Sequence, residues 1–92
     1  MSGALTAVQL ATLATVRNGG FLQVFRDYES PVWQTVVLLY DRLDNVSRLR
    51  NQGTLRGLLR RGLIARNPDF PADPEDASGV TGLYDVTGAF IR

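Results

Sequence analysis

The sequence contains no cysteine, no histidine and no lysine. Without cysteine, the chain forms no disulfide and offers no thiolate. Without histidine, it has neither a Ser-His-Asp nor a Cys-His catalytic arrangement, and it cannot build a zinc site from His and Cys. Without lysine, it lacks the cation of a nucleotide-binding phosphate loop. We therefore expect a protein that is not an enzyme and that holds no cofactor and no metal.

Long apolar runs are also missing, since no stretch approaches the roughly 20 residues that span a bilayer. The N-terminus has no basic segment followed by an apolar one, which a secretory signal would have. These features predict a cytoplasmic protein without a membrane partner. A chain of 92 residues predicts one domain with a modest hydrophobic core.

All ten cationic side chains are arginine, and they are unevenly placed. Residues 41–66 carry seven arginines against two aspartates, a net charge of +5, whereas residues 67–92 carry five acids against one arginine, a net charge of −4. Arginine stays charged and forms forked hydrogen bonds with phosphate or carboxylate, which suits contact with an anionic partner. Codon usage in a genome rich in guanine and cytosine is the alternative explanation for the preference for arginine.

The first half of the chain predicts a helix, a strand and a second helix. Thr6 and Gln9 match a capping box and begin a helix over 6–17, which the glycines after Asn18 end. Residues 21–25 are aromatic and β-branched and predict a short strand. Ser30 as N-cap and Pro31 in the first turn then predict a helix over 31–43. Its apolar residues, Trp33 among them, cover most of the circumference, so we expect it to be buried in the fold or against a partner subunit.

The second half predicts a third helix and a hairpin. The helix begins either near Ser47 or near 51–52, and it ends at Arg61 and Gly62, because glycine is preferred just past a helix. Residues 63–66 and 83–86 are strand candidates, joined by a loop rich in proline and acids. A final helical turn over 87–91 is one option for the C-terminal residues.

Two segments resemble a known family. LDNVSRLRNQGTLRGLLRRGLI (43–64) resembles the helix-turn-helix core of winged-helix regulators from bacteria and phages, and GLYDVTGAFIR (82–92) looks like their second wing strand. The resemblance extends from about Thr6 to the end. It implies a single winged-helix domain over 1–92, of the α+β class but mostly α, with three helices and a hairpin wing of two or three strands. The recognition helix would cover about 47–61 and the wing about 63–86.

The third helix predicts a surface for DNA. At 100° per residue its leucines cluster on one side, while Arg56, Arg60 and Arg61 fall on the other together with Gly53 and Gly57. We expect these glycines to flatten the outward face and to admit a partner's backbone. The leading hypothesis is sequence-specific binding of duplex DNA by a small transcriptional regulator. The alternative for this helix is an ordinary amphipathic helix with its charges in solvent, in which Gly53 belongs to the preceding turn. The predicted DNA-binding residues are Arg48, Arg50, Asn51, Gln52, Thr54, Arg56, Arg60, Arg61 and Arg66.

Some features favour a different partner. The loop carries Asp73, Glu75 and Asp76, which phosphate would repel, and the net charge is only +1. The alternative function is a winged-helix module for protein–protein interaction, such as a phage-encoded adaptor that binds a host protein. Weak binding by a monomer would favour a homodimer on paired half-sites, with an interface on the second helix or around Phe90 and Ile91. Double-stranded DNA is the expected partner, and a homodimer and a protein partner stay open.

Overall fold

The computed structural model describes residues 4–27, 34–75 and 79–87. Within these ranges the chain forms two helices and five strands. In chain order they are α1 (Ala7–Arg17), β1 (Phe21–Asp27), β2 (Gln34–Tyr40), β3 (Val46–Leu49), α2 (Gln52–Arg60), β4 (Ile64–Arg66) and β5 (Gly82–Val86). All five strands join one sheet in the order β3-β2-β1-β5-β4, and each neighbouring pair is antiparallel.

Helix α1 begins with the capping box that the sequence predicts. The Thr6 hydroxyl accepts a hydrogen bond from the Gln9 N–H at 3.1 Å, and the Gln9 Oε1 accepts one from the Thr6 N–H at 3.0 Å. This reciprocal pair satisfies two N–H groups that a helix start would otherwise leave without partners. The helix ends at the Asn18 cap, and Gly19 follows with a φ of +100° that favours glycine. The helix predicted over 6–17 is therefore confirmed.

Strand β1 lies at the centre of the sheet, where it pairs with β2 over seven positions and with β5 on its other side. Successive side chains of a strand alternate between the two faces. Leu22 and Val24 lie on the face that carries both helices, which we call the inner face, and they are 0% and 2% exposed. The core on this face is completed by Leu13, Val16, Val37, Leu55, Leu58, Ile64 and Tyr84.

The helix predicted over 31–43 is wrong, because Gln34–Tyr40 forms strand β2. Its continuous apolar run fits a strand that is buried on both faces as well as it fits a buried helix. Val37 is buried on the inner face and Val36 on the opposite, outer face. The β-branched side chains of residues 35–37 also favour extended backbone. Ser30, Pro31 and Trp33, on which the helix prediction depended, lie outside the described residues.

The start of the third helix is settled by the pairing of β3. Val46–Leu49 pairs with β2 through contacts such as Leu38↔Arg48, so a start near Ser47 is wrong. The alternative start is confirmed, since α2 begins at Gln52 with Asn51 as its N-cap. The recognition helix predicted over 47–61 therefore shrinks to the nine residues of α2. Neither helix within the described ranges is long and apolar enough to cross a membrane.

The hairpin predicted over 63–86 is confirmed as a pairing, because Ile64 faces Val86 across β4 and β5. The winged-helix fold class is nevertheless wrong. Strand β5 also pairs with β1, so the hairpin belongs to the main sheet and does not project as a wing. The fold is α+β with more sheet than helix, rather than three helices with a wing. The interface predicted around Phe90 and Ile91 falls on residues outside the described ranges.

The turn between β2 and β3 is organised by one carboxylate. Asp41 accepts hydrogen bonds from the Asn45 side chain at 3.0 Å, the Asn45 N–H at 3.0 Å and the Leu43 N–H at 2.8 Å. These bonds lower the pKa of Asp41, and the side-chain bond from Asn45 has the largest effect. In the same turn Asp44 has a φ of 62°, which Asp and Asn tolerate better than most residues.

We predict that Asp41→Asn lowers the free energy of unfolding at neutral pH and that the difference shrinks in acid. A carboxyl whose pKa is lowered by folding stabilises the protein above its unfolded pKa, and this contribution is lost as the pH falls through the folded pKa. Urea unfolding of both proteins from neutral to strongly acidic pH measures the effect. Asp44→Asn is the matched control, since it removes a charge from the same turn and leaves the Asp41 hydrogen bonds in place. A difference that does not change with pH would contradict the prediction.

Candidate functional site

Helix α2 separates an apolar side from a basic side. Its N-cap is Asn51, whose Oδ1 accepts a hydrogen bond from the Gly53 N–H at 2.7 Å. Leu55 and Leu58 are fully buried against the inner face of the sheet and α1. Arg56 and Arg60, one turn apart, are exposed together with Gly53. The predicted division of this helix is therefore confirmed for these residues.

The exposed arginines belong to a stretch without acids. Residues 45–68 contain six arginines and neither aspartate nor glutamate. Five of the six are exposed. Four of these lie on β3, on its connection to α2 and on α2 itself, and we call them the basic surface: Arg48, Arg50, Arg56 and Arg60. Arg56 donates to the Gln52 Oε1 at 3.4 Å, and none of the four forms an ion pair with a carboxylate in the described ranges.

A groove opens beside this surface where α2 begins. It has a volume of about 490 Å³ and is lined by residues of three segments: the start of α1 with Thr6 and Val8, the end of β3 with Arg48 and Leu49, and the connection to α2 with Arg50, Asn51 and Thr54. None of the described residues that line it carries a carboxylate. The N-termini of both helices lie at this groove and add partial positive charge to that of the arginines.

Two of the predicted DNA-binding residues have their side chains engaged within the fold. Thr54 is only 7% exposed. Arg66 lies on β4, where its guanidinium donates to the Gly79 carbonyl and to the Tyr84 hydroxyl at 3.0 Å, and it lies 5.5 Å from the centre of the Tyr84 ring. These contacts fasten the loop after β4 to the sheet. We therefore leave both residues out of the basic surface.

Three further predicted residues have partial structural roles. Asn51 caps α2, and Gln52 accepts the bond from Arg56. Arg61 is the C-cap of α2, and its guanidinium donates to the Ala4 carbonyl at 3.3 Å, which ties the end of α2 to the segment before α1. Asn51 and Arg61 are exposed and Gln52 is half-buried, so all three border the basic surface.

The interpretation of Gly57 as part of the outward face is wrong, and the exposed Gly53 also has a role in the cap of α2. A Cβ at position 57 would overlap the Gln9 amide nitrogen, so Gly57 faces the Gln9 side chain at the start of α1. A Cβ at position 53 would lie 2.9 Å from the Asn51 Oδ1, so Gly53 belongs to the cap of α2. Both glycines therefore serve contacts within the chain. The spacing in the sequence does not reveal this, because it depends on where α1 lies.

We predict that Gly57→Ala has an effect on stability that depends on Gln9. Alanine favours a helix interior over glycine by about 1 kcal/mol, but here it must displace a side chain that also completes the capping box of α1. The substitution should therefore stabilise the protein more in a Gln9→Ala background than in the natural sequence. Urea unfolding of the four proteins in a double-mutant cycle measures this coupling. Additive effects would contradict the prediction, because they would show that a Cβ at position 57 does not contact the Gln9 side chain.

Sequence reasoning missed the part of α1 that lines the groove. Val8 lines the groove and is 55% exposed, although it is large and apolar. Val8 itself was the available signal, because it is a large apolar residue in the first turn of the predicted helix. The groove itself was not predictable, since it joins residues about 40 positions apart in the chain.

No model of a protein family, no curated protein and no solved structure matches the chain significantly.

Proposed function

We propose that the protein binds duplex DNA through the basic surface. The observation that supports the proposal is the placement of Arg48, Arg50, Arg56 and Arg60, which are exposed on a contiguous part of the chain and form no ion pair within the described ranges. Guanidinium groups without acid partners remain available for phosphate oxygens and for the edges of guanine.

Helix α2 has dimensions that suit the major groove. The major groove of DNA is about 12 Å wide and admits an α-helix. The nine residues of α2 extend about 13.5 Å along the helix axis. Arg56 and Arg60 lie about 6 Å apart along the helix axis, so they can address neighbouring base pairs. In this arrangement the Gln52 Oε1 accepts a hydrogen bond from the Arg56 guanidinium and so orients it. Arg48 and Arg50 contact the phosphates beside the major groove of the DNA.

Site-specific occupancy of DNA is the basis of a role in transcription, because a bound protein blocks or recruits other proteins at that position. The proposal therefore extends to a small transcriptional regulator. This role rests on the chemistry of the exposed arginines and not on membership of the winged-helix family.

We predict that Arg56→Ala together with Arg60→Ala weakens DNA binding and reduces its salt dependence. The slope of log K against log salt should fall by about 0.9 for each phosphate contact removed, and loss of a bidentate contact to guanine should cost about 1–3 kcal/mol. Fluorescence anisotropy with a labelled duplex at two salt concentrations measures both effects. Random duplexes give the non-specific part of the binding, and a selected pool of duplexes gives the specific part.

The matched control is the double variant Arg17→Ala and Arg42→Ala, which removes the same charge. Arg17 ends α1, about 15 Å along the helix from the groove at its start, and Arg42 lies near Gly19 at that same end. Equal losses of DNA affinity in the two double variants would show that net charge, and not the position of Arg56 and Arg60, causes the loss. Negligible binding of the natural protein to any duplex at low salt would overturn the proposal.

A second candidate function is the binding of an acidic protein segment by the same arginines. It is favoured by the net charge of +1, which provides little long-range attraction to DNA. Arginine pairs with carboxylates as well as with phosphates. A glutamate-rich peptide that binds more tightly than any duplex at the same salt concentration would support this second function over the first.

A further inference from the structure

The outer face of the sheet carries apolar and aromatic side chains. Phe21 and Gln23 of β1 lie on this face, opposite Tyr40 and Leu38 of β2. The rings of Phe21 and Tyr40 stack with centroids 4.6 Å apart and an angle of 9° between their planes. The core residues of both helices lie on the inner face, and in the described ranges the outer face at β1 and β5 is bordered instead by the loop after β4.

Two cavities lie side by side on this face. The larger, of about 320 Å³, lies between Gln23 and Leu83 of the sheet and Asp69, Phe70 and Asp73 of the loop. The smaller, of about 160 Å³, is lined by residues that include Phe21, Leu83 and Asp85. Leu83 lines both cavities and forms the ridge between them. We call the two cavities together the acidic groove.

The spacing of the cavities matches an extended chain. On β1 the smaller cavity is at Phe21 and the larger at Gln23, two residues further along the strand. Alternate residues of a strand are about 6.6 Å apart and point to the same side. A second extended chain that lies over Leu83 can therefore insert alternate side chains into the two cavities.

Both cavities combine the same two chemical groups. The larger places the carboxylates of Asp69 and Asp73 beside the ring of Phe70, which is 51% exposed. The smaller places Asp85 beside the Phe21 ring. Carboxylates pair with cationic side chains, and aromatic faces attract them further. Among the described residues, no arginine lines either cavity.

We infer that the acidic groove is a docking site for an extended segment of another protein that carries arginine or lysine at alternate positions. Charge complementarity selects a basic occupant, and the two cavities select the spacing of its side chains. The apolar stems of these side chains pack against Phe70, Phe21 and Leu83, while their charged ends reach the carboxylates. The acidic groove lies on the outer face of the sheet, whereas Arg56 and Arg60 lie on α2, which packs on the inner face. The protein can therefore bind a basic protein segment in the groove and a polyanion at α2 at the same time.

The test uses a short fluorescent peptide with arginine at every second position and serine between. Asp69→Asn and Asp85→Asn each remove one carboxylate and keep the size of the side chain. Each should raise the dissociation constant about tenfold, as for the loss of a close charge pair at an interface. Asp44→Asn is the matched control, because it removes the same charge from the turn between β2 and β3 and should leave the constant unchanged.

A second readout locates the peptide. Its binding should shift the backbone amide signals of Gln23, Leu83 and Asp85 in a heteronuclear NMR spectrum, and thermal unfolding should show that the variants remain folded. The Arg56→Ala and Arg60→Ala variant should bind the peptide as well as the natural protein does, so a failure of the DNA proposal would be distinguishable from a failure here.

Several results would overturn the inference. An equal loss of peptide affinity in Asp44→Asn would show that the binding depends only on net charge. Unchanged amide signals along β1 and β5 would show that the peptide binds elsewhere on the protein. Tighter binding of a peptide whose arginines are four residues apart would contradict an extended occupant. Free arginine amide that binds as tightly as the peptide would show a site for a small cation and not for a protein segment.

Discussion

The structure depends on the burial of one central strand. Strand β1 pairs with β2 and β5, and the strands at the two edges attach through these neighbours. Its inner side chains, Leu22 and Val24, are almost completely buried beneath the helices. Burial of such aliphatic side chains stabilises a protein by about 1.5–3 kcal/mol each. In a domain of 92 residues the core is small, and both helices contribute to it through Leu13, Val16, Leu55 and Leu58.

The position of α2 follows from this constraint, and the basic surface follows from α2. Leu55 and Leu58 must reach the inner face, so the opposite side of the helix must face solvent. Charged residues with long stems are tolerated there, and Arg56 and Arg60 occupy it. The same core therefore fixes both the rigidity of the helix and the direction of its arginines, as a binding surface requires.

Local signals in the sequence were sufficient for some elements and not for others. The capping box at Thr6 and the hairpin between β4 and β5 were predictable, because both rest on residue types with specific local or cross-strand roles. Residues 34–40 were not, since an apolar run with Val36 and Val37 fits a buried helix and a strand buried on both faces. The difference is decided by pairing with β1 and β3, which no short window contains.

The candidate site shows the same limit. The exposure of Arg56 and Arg60 followed from helical periodicity alone. The role of Arg66 did not, because its partners Gly79 and Tyr84 are 13 and 18 residues away along the chain. The groove beside α2 and the acidic groove were also beyond local reasoning, since each is assembled from separate segments.

The separation of charge along the sequence becomes a separation in space because the acidic loop is tied to the sheet. The Asn67 N–H donates to the Leu83 carbonyl at 2.7 Å, and the Asp73 N–H donates to the buried Thr81 hydroxyl at 2.6 Å. Arg66 adds its bonds to Gly79 and Tyr84. Thus an arginine that the sequence groups with the basic residues holds the loop that carries Asp69 and Asp73. The acids border the outer face of the sheet, and the arginines of α2 keep their charge for an external anion.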